Sequence, residues 1–428
     1  MEKVGRIRKS LIYSYIDGIF ASIMAGLRDT FIIPFAVALG AVTSQIGLLS
    51  AVPTLISSLV QIKSADVTER LKSRKRVINI SVFIQAFMFL PILLVPFILD
   101  KGRIHFLIFF YVLHLSFGNF AMPPWGSLIA KYVPANKRGK YFGFRNKTLG
   151  FISVASAFAG GFLLNRFSKD NIFIGYAILF LVALITRLIS WYYLNKMYEP
   201  PFRVNEEAKF TFFEFVSRIK KSNFTRFVFY VGAMLFCVNI ASPFFPVYML
   251  KDLKMSYPVY TLVTMAATIT VLVVMDRWGR RADIFGNIKV LRICSFFIPL
   301  VPILWLFSKN TVYLVIIQII SGFFWSGFNI AISNFIYDAV SPPKRTRCIA
   351  YFNVINGIAT FFGALLGGYA AKFLPPIFGY KLLALFLISG VLRFFVAIFS
   401  LFLKEVRPVQ QTTSFRLLQE TMGLKFGD

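Results

Sequence analysis

The chain is poor in the residue types that carry most enzyme chemistry. It has two histidines, His105 and His114, and three cysteines, Cys237, Cys294 and Cys348. None of them shows the spacing of a zinc or other metal site. The absence of CxxC pairs excludes a disulfide framework as well as a metal knuckle. No histidine-carboxylate cluster is available for a membrane-embedded enzyme, so neither an enzyme nor a cofactor is expected. Charge is also scarce, at 15% of residues, where a soluble protein carries about 25%. No cleavable leader is expected. Lys3, Arg6, Arg8 and Lys9 open the chain, but the apolar run behind them is too long for a signal core.

What is abundant is apolar surface: 57% of residues are hydrophobic, and 51 are phenylalanine. Spanning a hydrocarbon layer of about 30 Å takes roughly 20 apolar residues per helix. Twelve such segments are predicted: 11–39, 44–62, 77–99, 104–132, 141–166, 171–195, 224–250, 258–275, 290–308, 311–340, 346–373 and 379–403. The fold class is therefore all-α integral membrane.

The net charge of +29 raises the question of a nucleic-acid partner. Its distribution excludes one, because the basic residues sit in short breaks between apolar runs. Counted by alternate sides, 35 of the 47 Lys and Arg fall on the side of the termini and nine on the other. That asymmetry places both termini in the cytoplasm. The longest polar break, 196–222, reads as a linker between an N-terminal half (1–195) and a C-terminal half (223–403), with a cytoplasmic tail over 404–428. Mixed aromatic and basic residues at 209–221 read as an interfacial amphipathic helix. Short loops and no sorting sequence point to a bacterial or archaeal cell membrane.

The two halves share an internal repeat. Glu69, Arg70 and Arg74 recur 207 residues later as Asp276, Arg277 and Arg281. Val133, Asn146, Gly150, Gly160 and Gly161 recur at the same offset as Val340, Asn353, Gly357, Gly367 and Gly368. Two parallel six-helix bundles related by a pseudo-twofold axis along the membrane normal follow, with a solute path between them.

The stretch Asp276-Arg277-Trp278-Gly279-Arg280-Arg281 resembles the loop signature of the major facilitator superfamily, and Glu69 to Arg74 resembles a degenerate copy. The resemblance spans nearly the whole chain. It implies a secondary transporter of a small solute working by alternating access, proton-coupled by default. It assigns Glu69, Arg70, Arg74, Asp276, Arg277, Gly279, Arg280 and Arg281 to a conformational latch. The partners implied are a solute, protons and membrane lipids, and the chain is expected to be a monomer.

Charges within the bilayer cost at least a few kcal/mol, so each needs a reason. Helix 1 carries Asp17, Arg28 and Asp29. Eleven residues turn about 1100°, so Asp17 and Arg28 share a face about 16 Å apart. His114 lies four residues before Gly118, where proton-coupled relatives of the family often carry arginine; the substitution leaves that motif broken. His114 reads either as a titrating group or as a packing histidine. Asn119, Asn239, Asn329, Asn353 and Asn356 suit hydrogen bonding to a polar solute, or to neighbouring helices. Arg187 and Arg393 read as snorkelling to headgroups, and Asp338 with Lys131 as a pair near helix ends. Two alternatives stay open on the same fold: a lipid or drug efflux flippase, and a sensor that transports nothing. Lipid-stimulated turnover would mark the first, and a missing solute path the second.

Overall fold

The structure is a computed structural model that describes residues 2–134, 138–169, 171–201, 212–217, 222–410 and 412–423. Its twelve long apolar helices are α1 (Gly5–Ala38), α2 (Thr43–Leu71), α3 (Arg74–Ile98), α4 (Arg103–Tyr132), α5 (Tyr141–Phe167), α6 (Ile172–Asn195), α7 (Asn223–Asp252), α8 (Tyr257–Phe285), α9 (Asn287–Leu304), α10 (Thr311–Ala339), α11 (Cys348–Ala370) and α12 (Lys381–Phe402). A thirteenth, α13 (Ser414–Met422), lies in the tail. Every segment predicted from apolar length is a helix. In hydrocarbon each backbone N–H and C=O must find a partner within its own segment, and a helix provides it. Among the described residues the only β-pairing is an isolated bridge between Ile377 and Tyr380.

The chain forms two compact units. Unit 1 comprises Met1–Asn205 with Phe245–Leu262, and unit 2 comprises Glu206–Phe244 with Val263–Asp428. In unit 1, α1 packs against α5 and α6, and α4 against α2 and α3. Phe35 is fully buried, with its ring 4.9 Å from Tyr176 and 5.1 Å from Phe180. Unit 1 also takes in the α7–α8 corner, where Tyr260 Oη donates to Thr30 O at 2.8 Å and Tyr176 Oη to Tyr257 Oη at 3.1 Å. Pro243 and Pro246 shape that corner. Lacking an N–H, each removes a helix bond, and α7 there passes through a 3₁₀ turn (Ser242–Phe244) into a π turn (Tyr248–Asp252).

Unit 2 is built on α7 packed against α11 and α12, with α9 against α10. Trp278 is fully buried and donates Nε1–H to Phe323 O at 2.8 Å. Gly363 and Gly367, four apart on α11, let its backbone approach α7, since a Cβ on either would collide with Phe236 O or Ile240 O. Gly367→Val is expected to cost about 2–3 kcal/mol by overpacking, read as a lower melting midpoint of the purified protein. An unchanged midpoint would show that α7 and α11 can separate freely.

Two expectations at the surface change. Only Phe212–Ser217 of the interfacial helix expected at 209–221 is described, and its Phe215 is buried against Phe224 and Tyr351 rather than lying in lipid. Residues 209–211 and 218–221 lie outside the described set, as do 202–208 of the expected linker.

The repeat is present, but its register shifts along the chain. The signature stretch Asp276–Arg281 is not a loop: α8 runs helically through it to Phe285. In the first copy the helix stops at Leu71, Lys72 turns through φ 49°, and Arg74 starts α3. The matching turn in the second copy is Gly286, at φ 94°, with Asn287 starting α9. The offset at this turn is 214; it falls to 208 at the starts of α4 and α10, Arg103 and Thr311, and to 207 at their ends, Tyr132 and Ala339. An ungapped 207 alignment hides that shift. Gly279 has open space around a would-be Cβ, whereas one on Gly286 would meet Glu405 Oε2 at 2.6 Å. The glycine that geometry demands is therefore Gly286, and the acid three residues before it, matching Glu69 before Lys72, is Asp283.

Candidate functional site

Unit 1 holds a buried polar chain crossing α1, α3, α4 and α6. It begins at Asp29, whose side chain is 57% exposed and pairs with Arg28 Nε at 2.7 Å. Arg28 Nη1 lies 3.1 Å from Nε2 of His114, which is fully buried. Nδ1 of His114 lies 3.0 Å from the backbone oxygen of Gln85. A carbonyl only accepts, so the ring proton sits on Nδ1 and Nε2 is the acceptor. Nε2 then receives both Arg28 and Gln85 Nε2, the latter at 3.3 Å. A ring with every position used in this way is neutral. Phe89 covers it at 4.4 Å.

The chain continues inward. Arg187 Nε donates to Gln85 Oε1 at 2.8 Å, and its Nη1 to Ser190 Oγ at 2.9 Å. Ser190 donates in turn to Asp17 Oδ1 at 2.6 Å. Asp17 is 4% exposed, and among the described residues it is the one buried carboxylate. Its other oxygen faces Arg145 Nη2 at 3.9 Å, while that nitrogen donates to Ser14 O at 3.1 Å. Arg145 also stacks over Trp125 at 4.8 Å. Arg145 Nε and Ser14 Oγ beside it make no hydrogen bond within the protein.

The shared face of Asp17 and Arg28 is thus joined end to end, though not by a direct pair. Gln85, Arg187, Ser190 and Arg145 are the members that sequence reasoning missed. Arg187 was expected to snorkel and instead points into the bundle, because a guanidinium has closer partners in Gln85 and Ser190 than at the headgroups. Arg393 behaves alike in unit 2: it is 3% exposed and bonds Ser389 Oγ and Val238 O at 3.1 and 3.3 Å. Gly118 is needed where it stands, since a Cβ would collide with Gln85 Nε2.

The asparagines divide by role. Asn119 Nδ2 donates to Ser57 Oγ at 2.9 Å, tying α4 to α2. Asn239 Nδ2 bonds Leu235 O at 2.8 Å and Thr360 Oγ1 at 3.4 Å. The amide oxygen of Asn356 is buried and makes no hydrogen bond. Asn353 is half-buried and Asn329 exposed.

The residues assigned to a latch lie in the last turns of α2, at the start of α3 and in the last three turns of α8. Glu69, Arg70, Asp276, Arg277 and Arg280 are exposed, and Gly279 is half-buried. Arg74 differs: it is 4% exposed and donates Nε–H to Ser127 Oγ at 2.9 Å. Glu199, four residues past α6, caps α3 by accepting from Ser73 Oγ and Arg74 N, both at 2.6 Å. Glu405, in the matching place past α12, accepts from Ile288 N of α9 at 2.9 Å. A carboxylate at a helix N-terminus is favoured by the free N–H groups there. These paired caps, 206 apart, were legible only as two acids after two apolar runs. Arg281 pairs with Glu420 of the tail at 2.8 Å. Asp338 pairs with Arg407 at 3.0 Å and accepts from Asn287 Nδ2 at 2.7 Å. Among the described residues no group of three or more His, Cys, Asp and Glu could hold a metal ion.

Comparison with known proteins gives a consistent answer. A region of 101 residues is 29% identical to the efflux pump azaK of Aspergillus niger, covering 24% of this chain and 21% of that one. Among solved structures, the nucleoside transporter NupG matches 92% of this chain and all of its own at a TM-score of 0.73 and 14% identity. A D-xylose-proton symporter matches 94% of this chain and 97% of its own at 0.69 and 12%. At such identities these likenesses speak for the fold. A sequence profile matches residues 18–276 and 228–421. With twelve apolar helices beneath that match, the chain belongs to the Major Facilitator Superfamily.

Proposed function

We propose that this protein is a secondary active transporter that moves a small polar solute by alternating access, coupled to protons through Asp17. The observation that carries the reading is the unbroken polar chain from half-exposed Asp29 to buried Asp17. So many charged groups inside membrane helices are expensive unless they do work. The similar structures, a nucleoside transporter and a D-xylose–proton symporter, support a polar solute.

In this reading the solute is held at the Arg28–Asp29 end. Drawing Arg28 toward a solute takes one of the two donors from His114 Nε2. Gln85 then bonds the ring more tightly and loosens from Arg187. Arg187 in turn shifts its share of Ser190 and so changes the charge balance at Asp17. A proton on Asp17 compensates, or its release drives the sequence backward. The half-exposed turns Glu69–Lys72 and Asp283–Gly286 supply the latch, with Arg70, Asp276, Arg277 and Arg280 beside them. Residues 1–195 and 223–403 form the two moving halves, with both termini in the cytoplasm of a prokaryotic cell and one chain as the working unit.

The first test is a melting-shift screen of purified protein against nucleosides, sugars, amino acids, organic anions and cationic dyes. A solute that binds the folded state raises the midpoint in proportion to its occupancy. A hit among polar solutes that is lost in Arg28→Gln supports the reading. Stabilisation by lipids alone would replace it with a flippase. The local likeness to an efflux pump favours export as a second reading, which the sign of flux across sealed vesicles decides.

A further inference from the structure

The tail beyond α12 is not a loose end. It runs along unit 2 and bonds to α8 and α9 on both sides of the turn between them through Glu405, Arg407, Gln410, Thr412 and Glu420. Glu405 caps Ile288. Arg407 donates Nη2–H to Ala282 O at 3.3 Å and pairs with Asp338. Gln410 N donates to Ile284 O at 3.1 Å, and Lys289 Nζ donates to Thr412 O. α13 then follows, started by Thr413 Oγ1 accepting from Arg416 N and ended at Gly423, φ 82°. Its Leu417 is fully buried in the core of unit 2, and its Glu420 holds Arg281 through both a carboxylate oxygen and the backbone oxygen. The contacts enclose Asp283 on both sides in sequence while leaving it exposed.

We propose that Lys404–Met422 is a strap that sets the geometry of the α8–α9 turn, and that Glu420 is the positioning residue through which it acts on Arg281. The inference rests on the latch reading of that turn. Each strap contact is weak by itself, because the Arg281–Glu420 pair is 29% and 26% exposed on its two sides. Such a pair is easily exchanged and is screened by salt. The burial of Leu417 and Thr421 anchors the helix. A fastening of this kind holds the turn without freezing it, which suits an element that must engage and release in each cycle.

The test needs no solute. Spin labels at Lys63→Cys and Ser341→Cys, both exposed positions, report the distance between the two halves in nanodiscs. Asp283→Asn should change the ratio of distance populations. Glu420→Gln should change it in the same direction by about two- to fivefold, the range for an exposed ion pair, with the melting midpoint unchanged. Glu420→Asp, which keeps the charge, should stay near the wild-type ratio. Added to Asp283→Asn, the Glu420→Gln change should do nothing more. A chain ending at Val406, which keeps the Glu405 cap, should reproduce the shift by removing the strap altogether. If Asp283→Asn shifts the ratio while Glu420→Gln and the shortened chain do not, the strap is wrong and the latch stands. If Asp283→Asn changes nothing, the latch is wrong, and a shift from Glu420→Gln alone then overturns the proposed route as well.

Discussion

Asp17→Asn should abolish accumulation of solute against a gradient, while one-for-one exchange of solute persists. The asparagine still accepts from Ser190, so the hydrogen-bonded chain keeps its shape. What is lost is the negative charge between Arg187, one serine away, and Arg145 at 3.9 Å. Removing one partner of a buried ion pair costs about 3 kcal/mol or more, a factor of roughly a hundred at least when it falls on one state of a cycle. A carboxylate can also take and return a proton in the cycle, which an amide cannot. Uptake driven by a pH gradient, measured in proteoliposomes, should fall to the background rate. Exchange should stay within a few-fold of wild type. Loss of both would mean that Asp17 holds the bundle together and nothing more.

Arg28→Gln should weaken solute binding about 10- to 100-fold, the weight of one or two hydrogen bonds to a charged group. Arg28 Nε holds Asp29 while Nη1 reaches His114, a fork that one ammonium cannot copy. Arg28→Lys is therefore expected to rescue little. The midpoint shift in the solute screen measures this directly. Full affinity in Arg28→Gln would move the solute site away from this end of the chain.

Much of this was legible in the sequence, for a physical reason. Hydrocarbon imposes length and apolarity on every segment, so twelve helices could be counted before any packing was known. The same cost of charge singled out Asp17, Arg28, Asp29 and His114, all of which lie in one network. What joins them was not legible, because hydrogen bonds across helices depend on rotation about four separate axes. Gln85 and Ser190 look like ordinary polar residues in a row, and Arg187 looks like an anchor. Matching Asp276 to Glu69 by letters assumed one register throughout, and only the positive φ of Lys72 and Gly286 reveals the turn shared by both copies. The tail misled in the same way. A polar segment with one leucine buried to zero exposure gives no periodic signal strong enough to mark a docked helix.

The central claim is that solute and proton move together through the Asp17 network. Luminal pH recorded in proteoliposomes as solute is added tests it most directly. The account predicts a pH change that tracks solute flux in the wild-type protein and vanishes in Asp17→Asn. Solute flux in the wild type with no movement of protons would contradict it.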